Sequence, residues 1–292
     1  MANFREYSSR LASMGGMRRV TATMKMVAAS HLHRAQTELH LPEPFAVALW
    51  NLVPVLRMTG FATHLVCQPP PKKDSRVLLV VMTSNRGLCG AFNNSVVREV
   101  RRWVKEQTAA RGIRAEAIYA GQKGCLGLRN EIPACMKTVD VTAHPKAKDI
   151  VAISQHATDS FLGRKCDEVW IAYNRFVNTM THDTEIVRLL PYDEHPRVAR
   201  PEKLPRTAPD IIEPNDYRML EAIIRQWVHL DVYNALLNSV ASEHASRVMA
   251  MENATVNLRR MEKELILLRN RARQAAITNE LTEIVSGAES LS

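Results

Sequence analysis

Three stretches of this 292-residue sequence carry residue types and spacings that could do chemistry. The first, Ser84-Asn85-Arg86-Gly87-Leu88-Cys89-Gly90, follows a short apolar run and precedes a helical pattern, where phosphate-binding loops sit. It has neither the GxxxxGKS/T nor the GxGxxG spacing, so it reads as a strand-to-helix turn that uses glycine for unusual backbone angles. Gly121-Gln122-Lys123-Gly124, the second, also follows a strand pattern and meets the same objection. Cys89 as a nucleophile would need an activating imidazole or carboxylate, and spacing assigns none; it reads as a small packed thiol. His31 and His33 are two apart and so point to diverging faces of a helix, and neither they nor nearby His40 form a paired metal site. No carboxylate pair has a spacing that argues for acid–base catalysis. No catalytic residue, cofactor site or metal site is expected.

The third stretch is cationic. Arg269, Arg271, Arg273 and Gln274 precede Ile277-Thr278-Asn279-Glu280-Leu281-Thr282-Glu283, and Arg269 and Arg273 share one helical face at i, i+4. Such a row is either a solvated cationic face or a set of directional guanidinium donors for a partner's carboxylates. The spacing leaves both readings open.

The elements that position these residues are legible from where glycine and proline fall. Between Pro214 and Gly287 neither occurs, and Leu220, Ile223, Ile224, Trp227, Leu230, Leu237, Val240, Val248, Met251, Leu258, Met261, Leu265 and Leu268 recur mostly in steps of three and four. This predicts one very long amphipathic helix or coiled coil, with Asp216 at its positive end and Gly287 as its stop. At ~1.5 Å per residue it would outreach any globule of this chain length unless it breaks. A second helix is predicted from Met17 to Leu41, with Val20, Met24, Val27, Leu32 and Ala35 as its apolar stripe. Gly15-Gly16 should interrupt it, and Pro42 and Pro44 should break it. Two such helices at opposite ends of the chain bury their stripes most simply against each other, as an antiparallel coiled coil with a domain inserted at its base.

The middle of the chain alternates. Val77 to Met82 is a continuous apolar run, as expected of a buried parallel strand. A helix over 94–108, a strand over 115–119, a helix over 149–162 and a strand over 168–173 complete a βαβ pattern, hence a small α/β domain. The predicted divisions are a coiled-coil helix at 1–57, a linker at 58–74, the α/β domain at 75–190, a Pro-rich linker at 191–214 and a coiled-coil helix at 215–292.

Composition excludes more than it assigns. Five cysteines with no CxxC spacing give neither a disulfide framework nor a structural zinc site. No uninterrupted apolar run is long enough to span a bilayer, and the first residues lack a signal-peptide core, so no membrane insertion is expected. The net charge of +9 raises the alternative of a basic nucleic-acid-binding coiled-coil protein. The excess, however, lies over 58–209, with 23 Lys/Arg against 15 Asp/Glu, while 210–292 holds nine against twelve.

Several segments resemble one family in order along the chain. Asn270 to Ala288 (NRARQAAITNELTEIVSGA) resembles the C-terminal signature of the gamma subunit of F-type rotary ATP synthase. Met24 to Ser30 with Arg34-Ala35-Gln36, Ser84 to Gly90, Phe176 to Met180 (as a later strand), Ala241-Ser242-Glu243, Arg247 and Met249 to Thr255 resemble other parts of it. The resemblance implies an antiparallel coiled coil formed by the N- and C-terminal helices with an inserted Rossmann-like α/β domain. It implies a noncatalytic rotor shaft inside a hexamer of alpha and beta subunits, with the globular end on the membrane c-ring and an epsilon subunit as further partner. It implies a peripheral protein on the cytoplasmic face of a bacterial inner membrane, with an organellar inner membrane or thylakoid as the alternative. The residues it marks as contacts to the hexamer are Met24, Glu243, Arg247, Arg273, Gln274, Thr278 and Glu283, with Glu43 and Glu213 toward the c-ring. Asn85 and Ala91 depart from the usual Asp and Gly, Gly15-Gly16-Met17 replaces a more polar stretch, and Glu43 stands where a basic residue is common.

Overall fold

In a computed structural model of the chain, the described residues are 2–50, 68–71, 73–136, 138–141, 145, 147–191 and 216–289. The expected linker beyond Pro191, most of the linker at 58–74, and Glu213 lie outside them. Two compact units result, Met1–Ala28 with Arg247–Ser292, and Ala29–Ser246. Helices α1 (Ala2–Glu38) and α6 (Asp216–Glu289) contribute to both. The other elements belong to the larger unit: α2 (Pro42–Trp50), β1 (Arg76–Met82), α3 (Phe92–Arg111), β2 (Arg114–Ala120), α4 (Gln122–Leu128), α5 (Ala147–Leu162), β3 (Glu168–Phe176) and β4 (His182–Leu190).

Neither glycine signal in the long helices acts as a stop. α1 runs unbroken through Gly15-Gly16, and α6 continues through Gly287 to Glu289. A helical glycine costs about 1 kcal/mol, a penalty that the rest of a long, packed helix outweighs. The proline signal does hold: α1 ends at Glu38, and Pro42, which has no N–H to leave unsatisfied, opens α2.

In the smaller unit the two helices are antiparallel. Thr255 Oγ1 donates to Thr21 Oγ1 at 3.0 Å, Arg18 Nε lies 3.3 Å from Glu262 Oε1, and Lys25 pairs with Glu252. The seam is read directly from exposure. On α6 from residue 255 onward, the positions that are not exposed are 255, 258, 262, 265, 269, 272 and 276, alternating steps of three and four. On α1 the matching row is 4, 7, 11, 14, 18, 21, 25 and 28. This is heptad packing, one residue out of phase with part of the predicted stripes. Val20, Met24 and Val27 stay exposed, as do Met261 and Leu268. The seam positions beside them hold Arg18, Thr21, Lys25 and Glu262, whose stems pack while their polar ends pair across the seam.

The larger unit is a four-stranded sheet of order β2-β1-β3-β4, parallel except for the β3–β4 hairpin. Central β1 feeds two cores by alternation. Leu78, Val80 and Met82 pack with Ile153, Ala157 and Phe161 of α5 and with Ile224 and Val228 of α6. Leu79 and Val81 face Val96 and Val100 of α3 and Leu128 of α4. Burial on both faces is why this strand reads as one apolar run. The β4 strand carries no such signal, because most of its residues are half-exposed. The segment Phe176 to Met180 is not a strand: β3 ends at Phe176, and the rest is the hairpin turn. Asn178 Oδ1 closes that turn by accepting from the amides of Met180 and Thr181, each at 2.8 Å.

Candidate functional site

The loop after β1 spends its polar groups on itself. Ser84 N donates to Asn93 Oδ1 at 2.9 Å, Ser84 Oγ donates to the Arg86 carbonyl at 2.5 Å, and Asn93 Nδ2 donates to Cys89 Sγ at 3.1 Å. Leu88 and Gly90 both take positive φ, 62° and 57°, which is how the chain doubles back into α3. Asn85 clamps two neighbouring segments: its Nδ2 donates to the Val141 carbonyl at 2.8 Å, and its Oδ1 accepts from Gln122 N at 3.2 Å. An aspartate could not make the first of these bonds, so the departure at Asn85 has a structural use. Cys89 is buried among these groups, with Ser84 Oγ 3.7 Å from its sulfur, and is a packed thiol.

Gly121-Gln122-Lys123-Gly124 is likewise a packing device. Gly121 has φ +100°, and a Cβ there would lie 2.1 Å from the Thr83 carbonyl oxygen. Gly124 N donates to Thr83 Oγ1 at 2.9 Å, so α4 starts directly against the end of β1. Among the described residues no group of three or more His, Cys, Asp or Glu could hold a metal ion. Burial pushes the Cys135 thiol up to about 11 and the Cys166 thiol up to about 12, which removes both as thiolate nucleophiles near neutrality.

The surface of the smaller unit carries two apolar rows. Met17, Val20, Met24 and Val27 form an exposed apolar row on α1, with 51, 55, 40 and 53% of their surface open. On α6, Ile277, Leu281, Ile284 and Val285 recur at i, i+4, i+7 and i+8 and are likewise exposed. No position from 277 to 286 is even half-buried. Isolated exposed apolar residues are ordinary, but two rows at helical spacing mark a surface made to be covered.

The polar residues beside these rows are distributed unevenly. Arg269 lies on the seam side of α6 and is half-buried, whereas Arg273, Gln274, Thr278 and Glu283 are exposed, so the i, i+4 arginine pair is split. Arg273 makes no hydrogen bond or ion pair among the described residues, while Thr278 Oγ1 donates back to the Gln274 carbonyl at 3.0 Å. Arg247 and Glu243 are half-buried and engaged within the chain. On α2, in the larger unit, Glu43 is exposed and pairs with His40 Nδ1 at 3.0 Å. The fold thus gathers Arg273, Gln274, Thr278 and Glu283 on one helix end, while Glu43 and Glu243 belong to the larger unit. The apolar row at 277–285 adds contact surface beyond the polar positions that the motif marks. Its signal was the i, i+4, i+7, i+8 recurrence past the last seam position.

The chain matches the ATP synthase family over residues 3–291. The chain belongs to that family. Curated members include the ATP synthase gamma chain of Roseiflexus sp. strain RS-1, 33% identical with 100% of this chain and 99% of the relative covered, and that of Geobacter sp. strain M21, 34% identical over the same shares. Among solved structures, the central stalk and c-ring assembly of Tetrahymena thermophila mitochondrial ATP synthase contains a chain 29% identical, with a TM-score of 0.59, over 80% of this chain and 99% of that one. A chain of Euglena gracilis mitochondrial ATP synthase shares the fold, with a TM-score of 0.68 at 19% identity over 99% of this chain and 95% of its own. The long terminal helices and central mixed sheet of this gamma-family chain are therefore the family's architecture. No helix among its described residues is long and apolar enough to cross a membrane.

Proposed function

We propose that the chain is the central rotor shaft of an F-type ATP synthase and is itself noncatalytic. Rotation driven by an ion flux through a membrane c-ring would turn the shaft within a hexamer of alpha and beta subunits, and ATP hydrolysis would turn it in reverse. The observation that carries this reading is the pair of exposed apolar rows, Met17 to Val27 and Ile277 to Val285, in a gamma-family chain. An apolar sleeve covers such rows by a non-directional attraction, which tolerates rotation in a way that a network of hydrogen bonds does not. The polar groups beside them, Arg273, Gln274, Thr278 and Glu283, supply the directional contacts with beta, and Met24, Glu243 and Arg247 further contacts with the hexamer. Glu43, and Glu213 outside the described residues, face the c-ring. An epsilon subunit completes the stalk, and the assembly lies on the cytoplasmic face of a bacterial inner membrane.

The test is co-assembly. The chain is expressed with alpha, beta, epsilon and c subunits from the same genome, and the purified complex is weighed by native mass spectrometry. One copy per hexamer with ATP-driven rotation is expected. A hexamer that forms and hydrolyses ATP without taking up the chain would sink the proposal.

A further inference from the structure

On α6, Asn238, Ser242 and Ser246 recur every four residues, and each meets the end of the β3–β4 hairpin in the larger unit. Asn238 Oδ1 accepts from Phe176 N at 3.2 Å, Ser242 Oγ donates to the Asn174 carbonyl at 3.1 Å, and Ser246 Oγ lies 3.4 Å from His182 Nδ1. A row at this interval covers about 12 Å of helix and drifts only slowly around it. Ser242 and Asn174 are both fully buried, so their bond is shielded from water.

The receiving end is braced. Asn174 Nδ2 donates to the Phe92 carbonyl at 3.1 Å, at the start of α3, and Asn174 Oδ1 accepts from Thr184 Oγ1 at 2.6 Å, on β4. One residue thereby ties β3, β4 and α3 together beneath the contact with α6. The delivering end is braced too: Asn238 Nδ2 donates to the Asn234 carbonyl at 2.9 Å, which leaves Oδ1 aimed at Phe176. Val232, Ala235 and Leu236 of α6 also share an apolar core with the sheet. Apolar burial is non-directional and resists sliding or turning of a helix poorly. Hydrogen bonds with fixed angles resist both.

We infer that Asn238, Ser242 and Ser246 are a torsional key that locks the long helix to the sheet, so that torque entering one leaves through the other without slip. The three act by positioning the helix. The inference rests on the rotor reading above.

The test uses the whole synthase in sealed vesicles, with Asn238→Leu combined with Ser242→Ala, and with Ser242→Thr alone as the conservative control that keeps the hydroxyl and leaves Asn238 in place. ATP hydrolysis, cation uptake per ATP and the angular fluctuation of the stalled rotor are measured. The first pair should leave hydrolysis within about twofold of wild type while uptake per ATP falls about threefold and the fluctuation broadens; the control should restore both. Wild-type uptake and fluctuation in the first pair would overturn the key. Hydrogen exchange of the Phe176 amide in the isolated chain gives a second readout that needs no assembly. Exchange about fivefold faster in Asn238→Leu supports the key, and unchanged exchange overturns it. A wild-type chain that drives no uptake counts against the rotor reading instead, and leaves the exchange result standing.

Discussion

Arg111 Nη1 lies 2.9 Å from Glu168 Oε1, and Glu168 is completely buried at the start of β3. The other carboxylate oxygen accepts from Trp170 Nε1 at 2.9 Å, and Trp170 packs against Trp103 with ring centroids 4.8 Å apart. The last turn of α3 is thus tied to the sheet by a charge with no access to water. Arg111→Ala leaves that carboxylate uncompensated and should lower the stability of the larger unit by about 3 kcal/mol. Glu168→Gln removes the buried charge but leaves one acceptor for two donors, Arg111 Nη1 and Trp170 Nε1, so it should destabilise the unit as well. Urea unfolding followed by tryptophan fluorescence reports this unit, since all four tryptophans lie within it.

Glycine substitutions should separate strain from flexibility. Gly121→Ala meets both a positive φ and a backbone oxygen 2.1 Å away, and should destabilise the larger unit by about 3 kcal/mol. Gly16→Ala has nothing within 4 Å and sits inside a continuous helix, so it should raise helix stability by about 1 kcal/mol. Thermal melting followed by circular dichroism distinguishes the two; an equal loss in both would contradict the assignment.

Stability should fall on mild acidification. Burial holds the His182 and His229 imidazoles below the ordinary value of about 6.5. Below that pH the unfolded chain takes up protons that the folded chain refuses, so their contribution is full above about pH 6.5 and is lost as pH falls through the folded values. At lower pH, Arg76 beside Asp167 holds its carboxyl below the ordinary carboxylate range, with bonds of 3.1 and 2.8 Å from Nε and Nη2, and that contribution is lost only once Asp167 protonates. Urea midpoints at pH 7.5, 5.5 and 3.5 should therefore fall in two stages. The step between pH 7.5 and 5.5 should shrink in His182→Asn with His229→Asn.

Arg273→Ala with Gln274→Ala should leave the isolated chain within about 0.5 kcal/mol of wild-type stability, because both side chains are exposed. In the assembled complex the pair should slow rotation-coupled hydrolysis; losing about 1.4 kcal/mol of contact at the limiting step is a tenfold drop. Unchanged turnover and torque would show the two side chains to be dispensable.

The sequence alone determined the long C-terminal helix and the central strand, but not β4 or α4. A 72-residue interval without glycine or proline makes a long helix, and an apolar run buried on both faces makes β1, because propensity and periodicity act locally. The family is legible in the terminal motifs without any geometry. Tertiary structure decided which of two adjacent stripes on each helix became the seam. Val20, Met24 and Val27 are more apolar than Arg18, Thr21 and Lys25, yet the second row is the one that packs. Periodicity sets the spacing of a stripe but not its phase against a partner, and the bonds that set the phase join residues more than 200 positions apart, such as Thr21 and Thr255. The same holds for Asn174, a mid-strand polar residue with no local signal, whose partners on α3, β4 and α6 exist only once the chain has closed.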